Sequence, residues 1–488
     1  MKKYTIIVLL LLYSWHIFAQ QETYTRIFSG SSYDEGVAVF RLPNKEIRLI
    51  GNTGSFGHGS TDVWYIALDS NGNFLWHKFY GGSHIEKVED AVMNSQGDIF
   101  MVGSTTQNTS ASYQVYFLGL NQYGQIIAYN NYGGSDWDLG HGIALINDSS
   151  FMLVGETYSK GAGQNDVYLL RVNYKGDTLW TKTYGSSQSD KGNAVKIMPD
   201  KGFIIAGSSD GYGNGSQDSY LIRTNEFGDT IWTKIVPHIT DAEFMDVVVN
   251  PDTSLVFCGY KKDTLDSYRD INLEKYDKDA NFEWSRFLTL SEGEDCYAKS
   301  MIREPDGRYT FCGMTTKYAH SSKSDARVLR TTTGGYWQAS NSLGDVEQDL
   351  GNAIVLDSLH GKHYLMIGTT KSYGINNSGI FFVRLDSNLE GDTTRNMFFP
   401  TNLLPPQNQE SFSCYPNPVN KILHIALPEN NGEYDVYIYS TLGIEVFRKS
   451  YSSHSKNIDL PIQNLSKGYY VLSIIGQNHT FKKLFIKL

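Results

Sequence analysis

The sequence predicts an all-β fold built from a series of similar units. Two markers that recur in step, together with the absence of sustained helical periodicity, are the observations behind this prediction. The first marker is an apolar run ending in glycine, at Gly51, Gly103, Gly155, Gly207, Gly259, Gly313 and Gly368. The second marker is a tryptophan, at Trp76, Trp180, Trp232, Trp284 and Trp337, with Ala128 in the slot between the first two. Successive glycines lie 52 to 55 residues apart, which indicates seven copies of one unit.

Each copy contains four short segments with strand character. In the fourth copy they cover residues 194–198, 203–208, 218–224 and 230–235. Segments rich in β-branched and aromatic residues and bounded by Gly, Asn or Asp favour strands joined by tight turns. Four strands in a unit of about 50 residues are typical of a propeller blade. We therefore expect residues 22–398 to form a seven-bladed β-propeller of four-stranded blades.

The two ends of the repeat region predict how the ring closes. The seventh copy ends near Asp392 without its tryptophan-bearing strand. Residues 24–29 ("YTRIFS") resemble that strand as it occurs from Trp180 onward ("WTKTYG"). Pairing the N-terminal segment with the seventh copy would remove an exposed sheet edge. We expect this segment to complete the last blade.

The N-terminus predicts export from the cytoplasm. Residues 1–19 combine Lys2 and Lys3 with a largely apolar run and the small residue Ala19, a pattern typical of a cleaved signal peptide. No other apolar stretch suggests a membrane protein, so the mature chain is expected to lack a transmembrane segment.

A second domain follows the repeats. Residues 399–412 contain proline and asparagine and are expected to form a linker. The repeat stops there, and alternating apolar and polar positions over residues 413–488 favour a small β-sandwich.

Composition excludes one class of partner and leaves another question open. The formal net charge is −10, and an acidic surface repels phosphate backbones, so nucleic acid is not an expected partner.

The four cysteines form no C-x-x-C pair and have no histidine nearby at zinc spacing. Their disulfide pairing stays open on the sequence alone. The four are Cys258, Cys296, Cys312 and Cys414.

The second marker carries a family resemblance. The segment from Ala67 to Trp76 ("ALDSNGNFLW") resembles the tryptophan-docking motif of quinoprotein-like propellers, although it is one residue shorter between Asp and Gly. In that family the tryptophan packs between neighbouring blades, and the resemblance implies this structural role for Trp76, Trp180, Trp232, Trp284 and Trp337. The family's cofactor-stacking and metal-binding residues have no counterpart that can be placed, so no cofactor is expected.

The tail carries a second, more specific resemblance. A Tyr-Pro-Asn-Pro opening is followed by short alternating segments such as "DVYIY", by two spaced glycines and by the ending "KKLFIKL". This order closely resembles the type A C-terminal sorting domain of type IX secretion. The resemblance implies recognition by an outer-membrane translocon, followed by release or attachment at the cell surface. The motif residues are Tyr415, Pro416, Asn417, Pro418, Gly443 and Gly468.

No recognisable catalytic site emerges. The best nucleophile pattern, G-x-S-x-G from Gly207 to Gly211, is followed by a glycine-rich loop, whereas a nucleophile elbow needs a helix. Acidic residues, in contrast, recur just before the first strand of each copy. Four of them begin a D-x-G sequence: Asp34, Asp138, Asp190 and Asp349.

Two interpretations of these four aspartates stay open. Each carboxylate could accept backbone N–H bonds within its own turn. Alternatively, the four could form an acidic funnel at the channel mouth that binds a polyhydroxylated ligand or a cation such as calcium. Paired carboxylates for glycoside hydrolysis are a third alternative, which a separation measured in the structure would decide.

The sequence therefore favours a secreted or surface-attached propeller that acts as a binding or adhesion module for an extracellular glycan or protein. The first alternative is an extracellular polysaccharide hydrolase or lyase that uses carboxylates at the channel mouth. The second is a structural surface protein without a soluble ligand. Fold alone does not decide among them, because propellers support many functions.

Overall fold

The chain divides into two compact units, Met1–Arg395 and Asn396–Leu488. A computed structural model describes residues 23–487 apart from 108–111, 213–216, 263–267, 289–292, 294, 317–322, 358, 360–362, 374, 376, 392–394, 399–412, 417–418, 427–431, 441–444, 454–456 and 476–479. The predicted signal peptide (1–19) and the predicted linker (399–412) lie outside the described residues.

Short antiparallel strands account for nearly all regular structure in the described part of the first unit. Their bounds are β1 (Tyr24–Phe28), β2 (Asp34–Arg41), β3 (Ile47–Thr53), β4 (Asp62–Leu68), β5 (Phe74–Tyr80), β6 (Glu86–Met93), β7 (Ile99–Thr105), β8 (Gln114–Leu120), β9 (Ile126–Tyr132), β10 (Asp138–Asn147), β11 (Ser150–Thr157), β12 (Asp166–Asn173), β13 (Thr178–Tyr184), β14 (Asp190–Ile197), β15 (Phe203–Ser209), β16 (Asp218–Thr224), β17 (Thr230–Val236), β18 (Ala242–Val249), β19 (Leu255–Lys262), β20 (Arg269–Tyr276), β21 (Phe282–Phe287), β22 (Cys296–Arg303), β23 (Tyr309–Thr315), β24 (Asp325–Thr331), β25 (Trp337–Leu343), β26 (Asp349–Asp357), β27 (His363–Thr370) and β28 (Gly379–Leu385). Strand β29 (Arg395–Phe398) lies at the division between the units.

Within Met1–Arg395 these strands form antiparallel sheets of four strands, six of them in sequence order. We number them sheet 1 (β2-β3-β4-β5), sheet 2 (β6 to β9), sheet 3 (β10 to β13), sheet 4 (β14 to β17), sheet 5 (β18 to β21), sheet 6 (β22 to β25) and sheet 7, in which β26, β27, β28 and β1 follow one another. The first strand of every sheet contacts the first strand of the next, and β26 contacts β2. This circuit of first strands around an axis is the arrangement of a β-propeller.

The N-terminal strand completes the last sheet, as the sequence predicted. Strand β1 pairs with β28 in a register that runs from Tyr24 opposite Arg384 to Phe28 opposite Ile380. Tyr24 is 1% exposed. A Cβ added to Gly72, in the turn between β4 and β5 of sheet 1, would lie 2.4 Å from the Tyr24 ring. The N-terminal strand therefore also joins sheet 7 to sheet 1.

The repeated glycine of the sequence accommodates a β-bulge in the neighbouring strand. In each sheet this glycine lies in the second strand, next to a bulge in the first, as in the pairing of Gly155 with Gly140. A Cβ on Gly155 would lie 1.8 Å from the carbonyl oxygen of Leu139. The same close approach, between 1.8 and 2.5 Å, recurs at all seven repeated glycines. A larger residue would clash with backbone, so glycine is required wherever the first strand is bulged.

Three of the tryptophans pack on a turn of the following sheet. Trp180 of sheet 3 lies against Gly228 of sheet 4, where an added Cβ would meet the indole ring at 2.7 Å. Trp76 and Trp284 make the equivalent contacts with Gly124 and Gly335. Each of these turn glycines has a positive φ, between 67° and 80°. Flat aromatic contact with bare backbone thus joins one sheet to the next.

The remaining two tryptophans differ from this pattern. Trp232 faces a turn that carries Ala280 instead of glycine, and its Nε1 donates a hydrogen bond of 3.1 Å to the carbonyl of Lys278. The docking role of Trp337 is a misassignment, because Trp337 pairs with Thr331 while Ala339 pairs with Arg330. In sheet 3 the docking tryptophan, Trp180, pairs with Arg171. The residue equivalent to Arg171 in sheet 6 is Arg330, so the docking slot there is the position of Ala339. Trp337 lies two residues before that slot and is 52% exposed.

The second unit contains two antiparallel sheets among its described residues. Their orders are β30-β31-β34 and β33-β32-β35-β36, with the bounds β30 (Ser413–Tyr415), β31 (Ile422–Ala426), β32 (Gly432–Ser440), β33 (Glu445–Ser453), β34 (Asn457–Pro461), β35 (Gly468–Ile475) and β36 (Thr480–Lys487). Buried side chains of both sheets, among them Leu423, Leu460, Val436 and Leu472, form one core.

The sorting-motif residues are only partly described. Tyr415 ends β30 and is 53% exposed, Pro416 follows it, and Gly468 begins β35. Asn417, Pro418 and Gly443 lie outside the described residues. Within the described part of the chain, no helix has the length and apolar character needed to cross a membrane.

Closure by β1 can be tested at a single side chain. Tyr24→Ala should reduce the free energy of unfolding of the first unit by about 3 kcal/mol, because it removes a buried aromatic ring that contacts two sheets. Deletion of residues 22–30 should destabilise the ring further, since sheet 7 then loses a strand. Thermal unfolding of the full chain followed by circular dichroism provides the measurement. A deletion variant that melts like the unmodified chain would contradict closure by this strand.

The distinction between docked and undocked tryptophans gives a second test. Trp180→Ala should cost about 3 kcal/mol of stability because the ring packs between two sheets. Trp337→Ala should change stability by less than about 0.5 kcal/mol because the side chain is half exposed and lies outside the docking slot. Urea unfolding of both variants makes the comparison. Equal losses would show that Trp337 also docks.

Candidate functional site

Each of the seven first strands, which contact one another around the ring, carries a β-bulge with one extra residue. The bulge in β10 lies between Gly140 and Gly142, so that His141 is the extra residue, and the other first strands are bulged at the equivalent place. A bulge re-aims the side chain of its extra residue. We call the resulting set the inner ring: Val37, Glu89, His141, Asn193, Met245, Lys299 and Asn352.

Charged groups face one another on one side of the inner ring. The Lys87 ammonium lies 2.7 Å from Glu89 and 3.7 Å from Glu35. Burial alone would raise the pKa of Glu89, but Lys87 and Lys299 hold the pKa of this carboxyl below its ordinary value. The Lys87 pKa is raised: burial opposes the rise, and the charges of Glu89 and Glu35 outweigh it. Lysines from two sheets thus converge on one glutamate.

His141 belongs to a chain of polar side chains in sheet 3. Its Nε2 lies 3.2 Å from Oε1 of Glu156, and Oε2 of Glu156 accepts a 2.5 Å hydrogen bond from the Asn165 amide. Burial favours a raised pKa for Glu156, yet the hydrogen bond and charge of His141 leave its pKa lowered. The carboxylate is therefore charged at neutral pH and orients the imidazole.

A second polar cluster joins sheets 4 and 5. The Asn193 amide donates 2.6 Å to Oε1 of Glu243 and 2.9 Å to the carbonyl of Phe244. The Lys191 ammonium lies 3.6 Å from Glu243, and the Tyr260 hydroxyl donates to its other oxygen over 3.4 Å. One inner-ring amide therefore connects two first strands and positions a carboxylate.

Two aspartates that follow the bulges join first strands directly. Asp90 accepts a 3.0 Å bond from the Ile143 N–H, and Asp246 accepts a 2.9 Å bond from the Met301 N–H. Lys196 lies 3.1 Å from Asp246. Burial raises the pKa of Asp90 to about 6. Since each bond crosses from one sheet to the next, these groups hold the backbone around the inner ring.

The four aspartates singled out in the sequence occupy a different environment. Each is at most 1% exposed. Each accepts the N–H four residues earlier, at distances of 2.7 Å for Asp34, 2.8 Å for Asp138, 2.5 Å for Asp190 and 3.0 Å for Asp349. Each also accepts a serine hydroxyl, at 2.6 to 2.9 Å.

The structure therefore supports turn fixation by these carboxylates and corrects their proposed role as ligand contacts. In each of them Oδ2 accepts these local donors and the side chain is buried, so an acidic funnel at the surface does not form from them. Among the described residues, no group of three or more His, Cys, Asp or Glu side chains is arranged to hold a metal ion.

Sequence reasoning missed the inner ring. Four of its members stand three residues after the D-x-G aspartates, for example His141 after Asp138 and Asn193 after Asp190. The side chains vary from copy to copy, and a position without a repeated residue type gives no signal in a search for repeats. The available signal was the repeated glycine, because it lies opposite the bulge in every sheet.

Comparisons with known proteins identify the tail. Residues 413–487 match the family described as "Secretion system C-terminal sorting domain". This domain marks proteins that type IX secretion exports to the cell surface or the extracellular space, and the chain is such an exported protein. A search of curated proteins finds no significant match.

Solved structures with a similar outline are distant. A puromycin hydrolase shares 11% identity with a TM-score of 0.46 over 73% of this chain, which spans only 52% of that protein. PorZ, a bacterial surface component of the type IX secretion system of Porphyromonas gingivalis, shares 9% identity over 95% of this chain and 70% of its own, with a TM-score of 0.36. The β-propeller domain of the Trilobed protease from Pyrococcus furiosus shares 7% identity over 75% of this chain and 94% of its own, with a TM-score of 0.41.

Asp349 gives the ring a testable pH dependence. Burial raises its pKa to about 6, against the hydroxyls of Ser372 and Thr370, and the charge of Asp325 adds to the rise. The folded chain therefore binds this proton more tightly than the unfolded chain, so stability should fall as pH rises from about 4 to 6 and level off above.

The Asp349→Asn variant isolates this contribution. Relative to the variant, the unmodified chain should lose up to about 3 kcal/mol between pH 4 and pH 7. Urea unfolding of both proteins across this range gives the difference at each pH. Identical pH profiles for the two proteins would contradict the raised pKa.

Proposed function

We propose that the chain is a secreted or surface-attached recognition module whose seven sheets are the blades of one closed propeller of the tryptophan-docking type. The proposal rests on the inner ring: a strictly repeated backbone feature carries one side chain from each blade, and the seven side chains are of six different types. The tail supplies export and the ring supplies binding.

The chemical character of the inner ring favours recognition over a purely structural role. Most of its members are polar, and Lys87 and Glu89 beside the axis keep 37% and 28% of their side-chain surface exposed. A ring without a ligand could fill these slots with apolar residues, as it does at Val37 and Met245. Charged groups held in place but still accessible are typical of binding sites.

The alternative of a polysaccharide hydrolase or lyase loses its main support. It relied on carboxylates at the channel mouth, and those of Asp34, Asp138, Asp190 and Asp349 are buried and hydrogen-bonded within their turns. A catalytic carboxylate must reach the glycosidic oxygen or the anomeric carbon, which such groups do not.

A binding screen with a matched pair of variants tests the proposal. The full mature chain is probed on a combined glycan and protein array, beside the double variant Lys87→Met/Glu89→Gln. The control is the double variant Lys278→Met/Asp279→Asn. It removes an exposed ion pair, also 2.7 Å long, from the turn between β20 and β21, at the opposite end of the strands from the start of β6.

We expect the unmodified chain and the control to bind the same ligand, and the inner-ring variant to bind it at least tenfold more weakly. Tenfold corresponds to about 1.4 kcal/mol, the scale of one or two charge-assisted hydrogen bonds. Absence of any ligand for the unmodified chain, or equal binding by all three proteins, would refute the proposal.

A further inference from the structure

A row of aromatic side chains lies on the loops that open onto the inner ring. Trp137 immediately precedes β10, and Tyr158 immediately follows β11, the two being joined by a 2.7 Å backbone hydrogen bond. Their ring centroids are 6.2 Å apart, and Tyr113 extends the row with its centroid 5.6 Å from Trp137. Trp137 is 47% exposed and Tyr158 is 41% exposed.

This row is continuous with the polar chain of sheet 3. Tyr158 stands two residues after Glu156, just beyond the end of β11, and burial together with the nearby charge of Glu156 raises the pKa of the Tyr158 phenol. Trp137 and His141 flank the start of β10, and His141 contacts Glu156 at 3.2 Å. An aromatic surface at the rim therefore leads directly to an oriented imidazole and carboxylate.

We propose that Trp137, Tyr158, Glu156 and His141 form a subsite for a pyranose ring of a neutral polysaccharide. The inference rests on the proposed recognition function and names the ligand class. Exposed indole and phenol rings offer rigid, flat apolar contact for the C–H face of a sugar. The His141 imidazole, which Glu156 orients at 3.2 Å, offers a directional partner for its hydroxyl groups.

Charge selects a neutral chain over a polyanion. The protein carries a net charge of −10, which disfavours approach of acidic polymers. Glu156 is itself held in the charged form by His141, so a sugar carboxylate beside it would be repelled. A hydroxylated ring satisfies the same groups without a charge of its own.

Equivalent loops of other sheets carry further aromatic residues at the same face. Tyr33 precedes β2 as Trp137 precedes β10, and Tyr212 lies in the loop after β15. They are 40% and 39% exposed. Tyrosines around one mouth suit a ligand of several linked rings better than a single small molecule.

Affinity electrophoresis of the full mature chain provides the test. Native gels contain laminarin, xyloglucan or galactomannan as neutral probes, and alginate as the polyanionic probe. The variants are Trp137→Ala and Trp137→Phe, and the matched control is Tyr123→Ala. Tyr123 is 65% exposed in the turn between β8 and β9, on the opposite face.

We expect at least one neutral polysaccharide to retard the unmodified chain and the Tyr123→Ala control equally. Trp137→Ala should weaken this retardation at least tenfold while its melting temperature is unchanged, and Trp137→Phe should recover part of it because a flat ring is restored. Alginate should cause no retardation.

The contrary outcomes separate this inference from the proposed function. Retardation that Trp137→Ala leaves intact would overturn the subsite. Retardation by alginate alone would contradict a neutral polysaccharide as the ligand. So would the absence of retardation in every gel while the array shows a protein ligand. Both outcomes would leave the proposed recognition function intact. No ligand in the gels or on the array would overturn both.

Discussion

The close approach of the repeated glycine to the bulged first strand is the constraint on which the rest of the ring depends. At Gly155, a Cβ would lie 1.8 Å from the carbonyl oxygen of Leu139, a distance no side chain tolerates. The glycine permits the bulge, and the bulge re-aims one side chain of each first strand. Because the backbone requirement is met by one residue type, the neighbouring side chain is free to vary. The scaffold and the proposed recognition surface are thus encoded in neighbouring strands of each sheet.

Cohesion between sheets comes from contacts of side chains with exposed backbone. Trp180 lies on Gly228, and Tyr24 makes the corresponding contact with Gly72 across the point where the chain ends meet. Nearer the axis, Asp90 and Asp246 accept N–H groups of the following first strand. Outer aromatic docking and inner hydrogen bonding therefore act at two radii, which limits the rotation of each sheet against its neighbour. In the proposed recognition module, such rigidity would keep the inner ring in one arrangement before binding and so limit the ordering entropy that binding costs.

Periodicity made the strands, the sheet composition and the closing strand predictable, because each depends on local pattern repeated many times. The sorting tail was equally accessible through its ordered motifs. The position of Trp337 was not, since the turn before it keeps the hydrogen bonds of the equivalent turns while the tryptophan stands two residues before the docking slot. Only the pairing of Ala339 with Arg330 reveals this. The site was missed for a related reason. Asp138 repeats because it fixes a turn, whereas the position of His141 varies from sheet to sheet, as expected of the proposed recognition surface.

The chemistry around the axis also resolves an apparent conflict in the charge of the molecule. A chain with a net charge of −10 nevertheless places Lys87, Lys191 and Lys299 beside the inner ring, each next to an acidic or amide partner. Paired charges cancel at a distance, so the centre does not act as an electrostatic trap for polyanions. At hydrogen-bond range, however, the same pairs offer donors and acceptors in fixed positions. That combination favours a ligand rich in hydroxyl groups and poor in charge. The aromatic rim formed by Trp137 and Tyr158 supplies the apolar half of such recognition, because a sugar ring presents hydroxyl groups at its edge and C–H groups on its face.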